Sequence, residues 1–147
     1  MSSTQNSVCS YCCLADDSAT AALLLLSSDP FVVYLAQPAY NAGHIWITTP
    51  LDGTDFTTLS NTAHAALYQL TCRVMQALTQ VCHPDGFNVG FNQGNAAGKA
   101  EAQHFCWQIV PRWAGDANFT FSGGNTKALG INLLTLCDAL RQELHAT

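Results

Sequence analysis

The chain has 147 residues, enough for one domain that buries a core without disulfide or metal staples. Of these, 48% are apolar and 10% charged, a low charge density that points to surface hidden in an oligomer interface, with a homodimer as the expected state. A formal net charge of −5 argues against a surface built to hold DNA or RNA, because phosphate neutralisation drives such binding. A small phosphorylated ligand, met by backbone amides or a few local cations, stays within reach.

The first segment, Met1 to Ser7, carries no basic residue and no apolar core behind it, so it does not read as a signal peptide and a cytoplasmic location is expected. The apolar run Ala19 to Leu26 is too short to cross a membrane. Seven cysteines is an odd number, and without export they are expected to remain thiols, most of them small core residues. No repeat, linker or low-complexity tract divides the sequence, which reads as a single domain over 1–147.

Leu23 to Leu26 and Phe31 to Ala36 are short apolar runs around a Ser28-Asp29-Pro30 turn and predict a hairpin. After the Gln37 to Gly43 segment, His44 to Thr49 is β-branched and aromatic and predicts a third strand. Ser60 or Asn61 caps a long helix whose apolar stripe is Leu67, Leu70, Val74, Ala77, Leu78 and Val81, ending near His83-Pro84-Asp85-Gly86. Phe87 to Asn92 gives a fourth strand and Phe105 to Val110 a fifth, stopped by Pro111. A last helix, about Asn132 to Glu143, places Leu133, Cys137, Leu140 and Leu144 on one side. The expected class is α+β, an antiparallel five-stranded sheet with one long central helix and a C-terminal helix.

The fifth strand alternates by chemistry. His104, Cys106 and Gln108 share one face, and Phe105, Trp107 and Ile109 the other. Hydrogen-bonding groups about 7 Å apart along a strand suit a ligand face better than a buried layer, where each would need a partner. A half-exposed edge strand that happens to carry polar residues is the plainer alternative.

Asn41-Ala42-Gly43-His44, Asp85 through Gly94, Ala97-Gly98, His104 with Gln108, Pro111-Arg112-Trp113 and Gly115-Asp116 follow one another in an order that resembles the histidine-triad superfamily, in its bacterial diadenosine-tetraphosphate phosphorylase and hydrolase branch. The resemblance spans nearly the whole chain. It implies a homodimeric α+β fold and nucleotidyl transfer or hydrolysis at an α-phosphate, through a nucleotidyl intermediate on the central triad residue. It further implies that His104 and Gln108 flank that residue and that Asn92 and Gln93 lie beside the phosphates with the Gly98 turn. Beside the resemblance, Lys99 is a candidate cation for an anionic ligand or else a solvated loop lysine, and Glu101 lines the approach to the triad strand. The family's Gly-His turn makes His44 structural, and Arg112 and Asp116 fall in segments that are more often structural than catalytic.

The sequence departs from that pattern at three places. Cys106 occupies the nucleophile position, where a thiolate is competent for covalent catalysis, especially if His104 lowers its pKa, and where it equally fits a space-filling replacement. Ala36 stands where relatives carry an Asn or Asp for the ribose hydroxyls, a loss of roughly 1 to 3 kcal/mol of ordinary nucleotide affinity. Cys9 and Cys12 have the spacing of half a zinc site, which the resemblance completes with His104 and a fourth ligand whose position is Gly53 here. Zinc therefore keeps three of its four family ligands.

Three functions follow: a nucleotidyl transferase or hydrolase using Cys106, a nucleotide-binding protein with impaired catalysis, or a triad pocket in which Cys106 and His104 handle a substrate that is not a nucleotide. Gly94 to Ala100 echoes a phosphate-binding P-loop but is one residue short between its glycines and lacks the hydroxyl residue after Lys99.

Overall fold

A computed structural model describes residues 23–37, 39–49, 55–97, 106–116 and 132–146. Five strands, β1 (Leu24–Ser28), β2 (Phe31–Leu35), β3 (Ile45–Thr48), β4 (Gly86–Asn92) and β5 (Cys106–Arg112), form one sheet in the order β1-β2-β3-β5-β4. Every pairing is antiparallel. The expected hairpin, long helix and C-terminal helix are all present, the helices being α1 (Asn61–Cys82) and α2 (Leu133–Ala146).

The start of α1 follows from its cap. Ser60 has extended backbone and its side chain accepts from the Ala63 amide at 3.0 Å, satisfying one of the orphan donors of the first turn. The helix stops at His83, which takes left-handed geometry at φ 47° just before Pro84. Between these ends Leu67, Leu70, Thr71, Val74, Ala77, Leu78 and Cys82 are buried at spacings of three and four. They pack on Val33, Leu35, Ile45, Ile47, Trp107 and Ile109, which alternate onto one face of the sheet. Burial pushes the Cys82 thiol up to about 11, so this cysteine is an inert core residue.

Two expectations are corrected. In α2 the buried stripe is Leu136, Cys137, Leu140 and Leu144, while Leu133 is exposed, because the stripe turns away from the helix's first residue. Pro111 does not stop β5, which continues through Arg112. The β3 pairing ends at Ile45 opposite Ile109, and the carbonyl of Pro111 on that side accepts from Asn41 Nδ2 at 3.0 Å, so its missing N–H falls where the ladder has already ended.

Arg141 donates to the Leu24 carbonyl at 2.8 Å and Arg73 to the Leu144 carbonyl at 2.8 Å, tying α2 to β1 and to α1. The turn before β3 needs glycine. Gly43 has φ +79°, and a Cβ there would lie 3.1 Å from Leu78 Cδ2 and 3.2 Å from Pro111 Cγ. That close approach seats the His44 turn against the core.

Candidate functional site on the open face of the sheet

The face of β5 turned away from α1 carries Cys106, Gln108, Val110 and Arg112, as the alternation predicts. Register adds their neighbours. Gln108 lies opposite Trp46 on β3 and Gly90 on β4, and Cys106 lies opposite Asn92. His44, just ahead of β3, completes the group.

These residues are joined in a directed chain of hydrogen bonds. The Tyr40 amide donates to His44 Nδ1 at 3.0 Å, which leaves the ring proton on Nε2, and Nε2 donates to Gln108 Oε1 at 3.0 Å. Gln108 Nε2 donates to Asn92 Oδ1 at 2.9 Å, and Asn92 Nδ2 donates to the Ala97 carbonyl at 2.6 Å. One backbone amide thus fixes a histidine tautomer and two carboxamide orientations. His44 is buried, and its role reaches past that of a turn residue. Sequence reasoning placed it outside the site; the available signal was its even spacing from Trp46, which puts it on the Gln108 face.

Cys106 is 2% exposed, with its Sγ 3.9 Å from the Trp107 carbonyl oxygen. The polar face is therefore closed over the thiol and opens toward Gln108 and β4. Ala36 is fully buried and its amide donates to the His44 carbonyl at 2.8 Å, so the position offers backbone only. Gln93 turns to the other side of β4, where its Oε1 accepts from the Phe56 amide at 2.8 Å. Asn92 and Gln108 are brought together; Gln93 is set apart from them.

At the far end of the same face, Arg112 binds Asp116 through Nε at 2.9 Å and Nη2 at 2.7 Å, and its Nη1 donates to Asn88 Oδ1 at 2.6 Å. The Arg112 guanidinium, with help from the Trp113 amide and Asn41, holds the Asp116 carboxyl well below the usual carboxylate range against the opposing effect of burial. Arg112 also lies 5.6 Å from the centre of the Tyr40 ring. This cluster clamps the end of β5 to the turn that delivers His44.

Cys9, Cys12, Gly53, Gly98, Lys99, Glu101 and His104 lie outside the described residues. Among the described residues, no group of three or more His, Cys, Asp or Glu side chains is placed to hold a metal ion. No described helix is long and apolar enough to cross a membrane.

A five-stranded antiparallel sheet in this order, with a long helix between β3 and β4, is the fold of histidine-triad proteins. A zinc-bound histidine-triad family protein from Mycobacterium smegmatis superposes with a TM-score of 0.66 at 21% identity, covering 84% of each chain. The diadenosine triphosphate hydrolase of Plasmodium falciparum, solved in complex with cyclomarin A, gives 0.61 at 14% identity, covering 85% of this chain and 76% of that one. In sequence the chain is similar to AP-4-A phosphorylase of Mycobacterium tuberculosis, 36% identical over 90 residues. That match takes in 61% of this chain and 46% of the relative, so the chain spans about half the length of the curated protein it resembles. No protein-family model matches the sequence.

Proposed function

We propose that the chain binds a nucleoside polyphosphate or nucleoside phosphoramidate and transfers or hydrolyses its nucleotidyl group, with Cys106 at the nucleophile position. The observation that carries this reading is the ordered row His44, Gln108 and Asn92 beside Cys106 on one face of β5 and β4. Amide N–H groups fixed in advance are what a phosphate's non-bridging oxygens require as charge builds on them. The similarity to AP-4-A phosphorylase supports the same class of ligand.

In this reading the Cys106 thiolate attacks the α-phosphorus. An S–P bond forms as the bond to the leaving group breaks, and that bond's electron pair departs on the leaving oxygen, or on a nitrogen that takes up a proton from solvent as it leaves. Water or inorganic phosphate then attacks the phosphorus, the S–P bond breaks and the thiolate is restored. His104 and Gly98 join the phosphate side through the resemblance alone, with Lys99 as a nearby cation and Glu101 lining the approach. A zinc ion held by Cys9, Cys12 and His104 belongs to the same proposal through the resemblance alone.

The burial of Cys106 favours a second reading, a nucleotide-binding protein with no covalent step. Turnover of diadenosine tetraphosphate and of a nucleoside phosphoramidate by the parent and by Cys106→Ala separates the two. Loss of activity in Cys106→Ala with retained nucleotide affinity supports thiol catalysis. Unchanged turnover removes the thiol from the mechanism, and affinity without product in either protein establishes the binding reading.

The homodimer belongs to the same proposal. β4 is an outer strand of the described sheet, and its Val89 (41%) and Phe91 (43%) are exposed, as is Tyr68 of α1 (56%). Phe91 stacks on Phe56 and Trp107, and Tyr68 meets Trp107 edge-on, so the exposed rings form one apolar patch continuous with the core. A second copy covering this edge would account for the low charge of the chain.

A further inference from the structure

The β4–β5 register sets Gly90 directly opposite Gln108 on the open face of the sheet, with Asn92 and Asn88 two residues to either side. A Cβ at Gly90 would meet no atom of the described residues within 4 Å. Space is therefore open from Gln108 outward across β4.

The carboxamides around this opening are all turned the same way. The Gln108 oxygen is engaged by His44, the Asn92 oxygen by Gln108 and the Asn88 oxygen by Arg112. What they have left to donate is N–H. Gln108 and Asn92 have each used one amide hydrogen on a neighbour, and among the described residues none accepts from Asn88 Nδ2. The strand positions Asn88 to Asn92 and Cys106 to Arg112 carry no carboxylate, and the Asp116 carboxylate at the end of this face is already paired with Arg112. Donors without acceptors of full charge fit a chain of anionic oxygens and reject a cation.

We propose that Gly90 and Asn88 form a distal subsite, over which the departing half of a dinucleoside polyphosphate lies. The missing side chain of Gly90 keeps the path from Gln108 open, and the Asn88 amide meets the phosphate chain beyond it. Arg112 acts as a positioning residue by holding the Asn88 oxygen. This inference rests on the nucleotide reading and adds the specificity-determining position for the leaving group.

Two probes separate the subsite from the nucleotide position: AMP, which ends near Gln108, and diadenosine tetraphosphate, which has a second half to place. Binding of both is measured to the parent, to Gly90→Val and to Asn88→Ala, with melting temperatures checking that each variant folds. A β-branched residue suits a strand, and no atom of the described residues lies within 4 Å of a Cβ at this position. Both variants are expected to weaken diadenosine tetraphosphate about tenfold or more while changing AMP less than about twofold. Equal losses for the two probes, or no loss in either variant, overturn the distal subsite and leave the nucleotide reading intact. A parent protein that binds neither probe overturns that reading and the subsite with it.

Discussion

His44 Nε2 donates to Gln108 Oε1 at 3.0 Å across 64 positions of sequence, and this one bond decides which end of the Gln108 amide faces β4. Replacing His44 by Ala leaves the Tyr40 amide and the Gln108 oxygen without their partner. The expected cost is about 2 kcal/mol of stability, read as a lower urea midpoint with an unchanged slope. Nucleotide affinity falls in the same variant because Gln108 is freed to rotate.

Gly43→Ala is expected to destabilise the fold by about 1 to 3 kcal/mol, since it places a Cβ at positive φ. The new carbon would also press on Leu78 and Pro111 at 3.1 and 3.2 Å. Thermal unfolding of the variant checks this, and Gly94→Ala provides the contrast: it shares the positive φ, but its Cβ would meet nothing within 4 Å among the described residues.

The Arg112 and Asp116 pair makes a pH prediction. The folded carboxyl is held below its ordinary value of 3.8, so its contribution is complete above about pH 4 and is lost as the pH falls through the lower folded value. Asp116→Asn should therefore melt below the parent at pH 6, by about 4 °C or more, and the gap should narrow steadily on acidification below pH 4. A gap that stays constant to pH 2.5 would show that the charge of Asp116 contributes nothing.

Phe91→Asp places a charge in the exposed ring patch of β4 and α1. In sedimentation velocity the parent is expected to run as a dimer, and the variant to dissociate with a constant raised about tenfold or more. A parent that stays monomeric at high concentration would remove the dimer from the account.

The five strands, the cap at Ser60 and the helix stop at His83 were legible in the sequence because each is local: an apolar period, a side chain that reaches two or three residues, a Pro after the turn. The face shared by Cys106 and Gln108 was legible for the same reason. What could not be read along the chain is register. That Gly90 falls opposite Gln108, and His44 within reach of it, depends on how β3 and β4 slide against β5, and one residue of slip would send both to the core. The continuation of β5 through Pro111 was missed because it depends on where β3 ends. The burial of Cys106 is likewise a tertiary outcome that the polar alternation alone does not show.

The proposed chemistry requires that the Gln108 face hold a nucleotide. Its most direct test is the melting temperature of the parent and of Gln108→Ala across a titration of diadenosine tetraphosphate, because a ligand bound only by the folded state must stabilise it. The parent should rise with the logarithm of ligand concentration, and Gln108→Ala should remain flat over the same range. A parent whose melting temperature does not move, or a variant that rises as much as the parent, would contradict a nucleotide site built on Gln108.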